Sequence, residues 1–285
     1  MPTPQDLIDG RDEMARLTDQ AVASFERELA FVVRQLERQL LALIGEVAKD
    51  SRTAIIRAAR ATRLRNQIRD VLTEAGFDAL LDAATEVPLD RLARAVLRTT
   101  VGQEVTAFVT RLQPRIDALK ALTLTDLLGQ GDQLASALWR ATVQGVFSAR
   151  SVEAIVRDLG GVIDQSLPRI RTLYDTSVSI YGRQVELLQA GNDPETLFVY
   201  MGPVDDVIRP FCEDLVGKVL SRAEIDALDN GQLPNVMLTG GGYNCRHGFT
   251  EISQFSELVT LHETGERMPE IAAKLTRVDV ERKAA

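Results

Sequence analysis

Cysteine and histidine are nearly absent, with two of each in 285 residues. So few thiols exclude a disulfide scaffold, and they confine any thiol or imidazole chemistry to a small set of side chains. Aromatic residues are only 5% of the chain, with one tryptophan, which excludes a stacking platform for single-stranded nucleic acid. No apolar run approaches the roughly 18 residues of a membrane span. The stretch Leu40 to Ile44 stops at Gly45 and Glu46, so no membrane partner is expected. The first residues, Met1-Pro-Thr-Pro-Gln-Asp, show no basic region leading into an apolar core, so the expectation is a cytosolic origin without a secretory signal. A formal net charge of −8 excludes a protein that coats nucleic acid with its whole surface. Gly-x-Ser-x-Gly, the P-loop and His-Glu-x-x-His are all missing. What is present, 45% apolar and 26% charged residues, suffices for an ordered core and for two domains.

Glycine and proline divide the chain. They are thinly spread up to about residue 190, then crowd into 197–252 together with both cysteines and His247. The first region therefore reads as helices and the second as a compact, turn-rich α+β unit. Gly191-Asn-Asp-Pro-Glu195 is a helix stop followed by a turn, which sets the expected boundaries: a helical region 1–190, a small domain 191–257 and a tail 258–285. The fold class expected is mainly α, an irregular helical assembly followed by the α+β unit.

Within the helical region, a long helix over about 13–49 carries Leu29, Val33, Leu36, Leu40, Leu43 and Val47 at heptad spacing, extended backward to Val22. The seam serves either a bundle within the chain or a coiled coil between subunits. A second helix is expected over about 51–72. A third opens at Pro88, suited to a first helical position, and runs to Pro114. Shorter helices follow at about 134–147 and 151–159, the latter ended by Gly160-Gly161, and a last long helix occupies about 168–190. Trp139, Tyr174 and Tyr181 read as core residues, and His262 as a solvated residue of a mobile acidic tail.

Arginine supplies most of the positive charge, and residues 51–69 hold Arg52, Arg57, Arg60, Arg63, Arg65 and Arg69 without one Asp or Glu. At about 100° per residue the first four share about 140° of arc, while Arg65 and Arg69 fall opposite. The run is either a solvated helix face or a contact for DNA phosphates or an acidic protein surface, the latter salt-sensitive.

In the small domain, a strand over Leu197 to Met201 turns at Gly202-Pro203 into a polar loop with Asp205, Asp206, Arg209 and Pro210. A brief helical turn carries Cys212 and ends at Gly217. Ser221-Arg-Ala-Glu224 is a capping box. Gly240-Gly-Gly-Tyr-Asn-Cys-Arg-His247 precedes a second strand over Gly248 to Ile252. Cys245-x-His247 sets a thiol and an imidazole on one turn, with Cys212 arriving from 33 residues upstream. Zinc requires four ligands, so Asp205, Asp206 or a water would complete the set. The alternatives are two cysteines buried as small apolar residues, or a disulfide.

The ordered residues Asp206, Arg209-Pro210, Cys212, Leu215-x-Gly217-Lys218 and Gly242-Tyr-Asn-Cys-Arg-His247 resemble the phage Mu F-like minor head proteins of tailed bacteriophages. Upstream, Arg171-Thr172 and Gly182-Arg183 resemble elements that precede that domain, and Ser151 to Leu159 fits the short helix before them. The resemblance covers about residues 140–252. It implies a low-copy minor capsid, or head morphogenesis, protein, built into procapsids with the portal protein and capsid components and in contact with packaged double-stranded DNA. It also implies a virion location, in the head interior or at the portal vertex, after synthesis in the bacterial cytoplasm. The family uses His or Cys at the positions of Cys212, Cys245 and His247, an exchange that metal ligands tolerate, and this favours a structural zinc there; a carboxylate such as Asp206 would complete its tetrahedron. The alternative function is a metal-dependent hydrolase or nuclease built on Cys212, Cys245 and His247, with Asp206 or Glu213 as base.

Overall fold

The computed structural model describes residues 3–49, 54–101, 105–148, 150–188, 190, 193–252 and 257–284. Among these the chain is mainly helical, with one small three-stranded sheet. Five long helices come first: α1 (Pro4–Lys49), α2 (Ala54–Glu74), α3 (Phe77–Val101), α4 (Val105–Phe147) and α5 (Val152–Leu187). Then follow β1 (Leu197–Met201), α6 (Pro210–Leu215), β2 (Val219–Ser221), α7 (Arg222–Asp226), α8 (Val236–Thr239), β3 (Gly248–Glu251), α9 (Val259–Thr264) and α10 (Pro269–Ala284).

The helices are longer than the sequence signals suggest, because glycine and proline do not stop them. Helix α1 begins nine residues before the expected start, where the Asp6 amide donates to Thr3 Oγ1 at 3.2 Å and the Thr3 amide donates to Asp6 Oδ2 at 2.8 Å. This reciprocal pair satisfies two otherwise orphaned donors. Pro88 lies inside α3 rather than at a helix start, and Pro114 inside α4 rather than at an end. A proline at 88 has no N–H for the Ala84 carbonyl. That carbonyl instead accepts a hydrogen bond from Tyr174 Oη at 2.8 Å. Helix α5 passes through both Gly160-Gly161 and Pro168, merging two expected helices. Its buried residues Ile155, Leu159, Ile163, Ile170, Tyr174, Val178, Tyr181 and Val185 keep helical phase throughout. Continuous burial of that stripe outweighs roughly 1 kcal/mol per glycine and 3 kcal/mol for the proline.

On α1 from Val22 onward the buried positions are Val22, Phe25, Leu29, Val32, Leu36, Leu40 and Ile44. The expected seam shares Val22, Leu29, Leu36 and Leu40, but Val33 and Leu43 are only half-buried, and the side chain of Val47 lies outside the described residues. A helix with 3.6 residues per turn drifts from a 3.5 repeat, so the buried track slides one position off the heptad.

The chain divides into two compact units that cut across the boundary expected near residue 190. One comprises Ala21–Val87 and Ala121–Tyr174, and is helical. In it Phe25 stacks on Tyr174 with ring centroids 4.1 Å apart. The other comprises Met1–Gln20, Pro88–Lys120 and Asp175–Ala285, and contains the sheet. Strand order is β2-β1-β3, with both pairings antiparallel and β1 central. The expected strands and capping box are present: Ser221 Oγ accepts from the Glu224 amide while Glu224 receives the Ser221 amide. Its core joins Phe198, Tyr200, Val216, Ile225 and Phe249 to Leu7 and Ile8 of α1 and to Met268 and Ile271. Residues 191–257 therefore do not close their core alone.

The segment expected as a tail is helical. Arg267 donates to the carbonyls of Glu213, Val216 (3.1 Å) and Asp214 (2.9 Å), placing its charge on the orphaned carbonyls at the end of α6. His262, expected in mobile solvent-exposed chain, stands on α9 with Nε2 2.8 Å from Glu224 Oε2.

Candidate metal centre

Three elements deliver three ligand-type side chains to one buried point. Cys212 is the third residue of α6, a six-residue helix opened by Pro210, whose fixed φ suits a first turn. Cys245 sits in the loop between α8 and β3, and His247 immediately precedes β3. All three are buried, and one ligand atom from each lies within 4.8 Å of the others, a group able to hold a metal ion. Cys212 Sγ and Cys245 Sγ are 3.7 Å apart, and both cysteines are free.

The surroundings fit a cation. His247 Nε2 is buried and has no hydrogen-bond partner among the described residues. A dry imidazole nitrogen of that kind is a costly omission unless something binds it. The hydrogen bond between the sulfurs holds Cys245 below the ordinary thiol range, while the same bond and burial push Cys212 up. The Gly241 amide also donates to Cys245 Sγ at 3.1 Å, an interaction that stabilises a thiolate.

Backbone packed against the sulfurs explains the glycines of the loop. A Cβ on Gly241 would lie 2.5 Å from Cys212 Sγ, and one on Gly202 2.5 Å from the His247 ring. Gly240 and Gly241 therefore form a wall of the centre, while Gly242 packs on Gln232.

Arginines hold the loop in place. Arg183, on α5 and only 3% exposed, donates to the carbonyls of Leu238 at 2.8 Å, His247 at 2.9 Å and Cys245. Arg209 donates to the Gly241 carbonyl at 2.9 Å, and Arg246 pairs with Asp205 at 2.7 Å. Sequence reasoning marked Gly182-Arg183 only through resemblance; its structural role is to tie the Cys245-x-His247 turn to α5. Asp206, expected as a fourth ligand, is exposed and stands outside the group, as does Glu213. Its neighbour Asp205 is turned to Arg246 instead.

A second buried network escaped sequence reasoning. Arg11 donates to Glu186 Oε2 at 2.6 Å, to the Phe249 carbonyl at 3.0 Å and to Thr250 Oγ1 at 3.1 Å, with both charged side chains under a tenth exposed. It fastens α1 to α5 and β3. Burial pushes the Glu186 carboxyl above its ordinary range against the pull of Arg11. Nothing in the sequence separates Arg11 from the many surface arginines except its spacing of three and four from the buried Ile8, Met14 and Ala15.

Of the expected DNA contacts, Arg52 lies outside the described residues. Arg57, Arg60 and Arg63 stand on α2, with Arg63 exposed. The arginines on the opposite arc serve the fold: Arg65 lies 6.0 Å over the Trp139 ring and Arg69 pairs with Asp78 and Asp132. Among the described residues, no helix is long and apolar enough to cross a membrane. Comparison of the chain with known protein families, with curated proteins and with solved structures gives no match.

Proposed function

We propose that this chain is a minor capsid, or head morphogenesis, protein of a tailed bacteriophage, a low-copy structural component associated with the portal and in contact with packaged DNA. In the same reading its Cys212, Cys245 and His247 hold a structural zinc. The observation that carries the proposal is convergence. The scattered elements that resemble the Mu F-like text, Arg183, Arg209, Cys212, Cys245 and His247, gather around one buried centre with the backbone of Gly241 between them.

The donor set of two thiols and one imidazole suits zinc, and burial of all three suits an ion that fastens rather than reacts. The cavity that reaches Cys245 offers about 20 Å³, room for little more than a water molecule. That cavity is too small for a scissile substrate, which weighs against the hydrolase or nuclease alternative. Bound zinc would supply cross-linking of α6 to the loop before β3.

Quantitative mass spectrometry of particles and procapsids from a host producing the phage tests the function. The chain should be found in both at a copy number well below that of the major capsid protein. Absence from both would overturn the reading.

A further inference from the structure

The three ligands leave a tetrahedral ion one donor short, and a tyrosine hydroxyl reaches both sulfurs. Tyr200, on the central strand β1 and fully buried, places its hydroxyl 3.4 Å from Cys212 Sγ and 3.8 Å from Cys245 Sγ. Its ring stacks near-parallel on His247, with centroids 5.7 Å apart. These distances can be compared with the edges of a tetrahedron. Zinc–sulfur bonds of about 2.3 Å require sulfurs about 3.8 Å apart, and a zinc–oxygen bond of about 2.0 Å puts the oxygen about 3.5 Å from each sulfur. The observed 3.7 Å between sulfurs and the two oxygen–sulfur distances match those edges. A Cβ on Gly240 would lie 3.0 Å from Cys245 Sγ and 3.3 Å from Tyr200 Oη, so loop backbone closes around both donors.

Resting on the metal reading above, we propose that Tyr200 is the fourth ligand, so that the centre is Cys212-Cys245-His247-Tyr200 and is closed without Asp206 or solvent. On loading, the thiol and phenol protons leave to the buffer, and the ion takes two thiolates, one imidazole nitrogen and one phenolate. Two thiolates and a phenolate exceed a divalent cation by one negative charge. The buried guanidinium of Arg183, which holds the Cys245 and His247 carbonyls, is the compensating charge.

The test is a zinc titration of metal-free full-length protein, read by ultraviolet difference spectroscopy and by competition with a chelating dye. The wild type and Asp206→Asn should both develop a tyrosinate band that saturates at about one equivalent. Tyr200→Phe keeps the ring and its stacking. It should bind zinc at least 10–100-fold more weakly, the reduction typical of removing even an outer-shell partner, and show no tyrosinate band. Zinc binding by the wild type without that band, or undiminished affinity in Tyr200→Phe, would overturn the tyrosine ligand and leave the metal site standing. No zinc binding by the wild type would overturn both.

Discussion

Replacing Arg183 by methionine removes the guanidinium while keeping most of its apolar stem. Three carbonyls, those of Leu238, Cys245 and His247, are then deprived of a charged donor, beside a cavity of about 20 Å³ that holds little more than one water molecule. Hydrogen bonds to charged groups contribute about 1.5–3 kcal/mol each. Held by one side chain they are not additive, so the expected destabilisation is about 3–5 kcal/mol. Against a total stability of roughly 5–15 kcal/mol that is a large fraction. Urea unfolding of the full chain at fixed zinc concentration measures it. Arg171→Met is the matched control, since Arg171 is 58% exposed and pairs with Glu26 at the surface. That change should cost no more than about 0.5 kcal/mol. A destabilisation below about 1 kcal/mol for Arg183→Met, or equal effects for the two variants, would refute the view that Arg183 holds the loop.

Arg11→Met should destabilise by about 3–5 kcal/mol in chemical denaturation, because it strands Glu186 in the interior. With its carboxyl raised above the unfolded value, native Glu186 binds a proton more readily than the unfolded chain, so the variant's deficit should shrink as pH falls toward the ordinary glutamate range. Gly241→Ala drives a methyl to within 2.5 Å of Cys212 Sγ and should weaken zinc affinity roughly 10–100-fold, measured by chelator competition. Replacing Arg52, Arg57, Arg60 and Arg63 by Gln should lower the salt dependence of DNA binding by roughly 0.9 in log–log slope for each phosphate no longer neutralised. Anisotropy across a salt series with an unchanged slope would leave the run as a solvated helix face.

The small domain was legible because its signals are local. The strand 197–201, the Cys212 turn, the Ser221 capping box and the strand at 248 each follow from a few adjacent residues, and the structure places them there. The short strand β2 escaped, since Val219–Ser221 pairs with β1 through backbone hydrogen bonds that three residues do not announce. Helix ends misled for the opposite reason. Gly160, Gly161 and Pro168 are local stop signals, but the apolar phase from Ile155 to Val185 is set by tertiary burial and continues through them. At the metal centre, Cys212, Cys245 and His247 could be gathered from residue type alone. Asp206 was favoured by charge, yet Tyr200 stands closer to the sulfurs because β1 runs through the middle of the sheet.

Elemental analysis of full-length protein purified without added metal tests the centre most directly. Wild type should carry about one zinc per chain, and Cys245→Ser close to none. Less than about 0.1 equivalent in the wild type, with unfolding insensitive to a chelator, would contradict the zinc centre and return Cys212 and Cys245 to the role of packing residues.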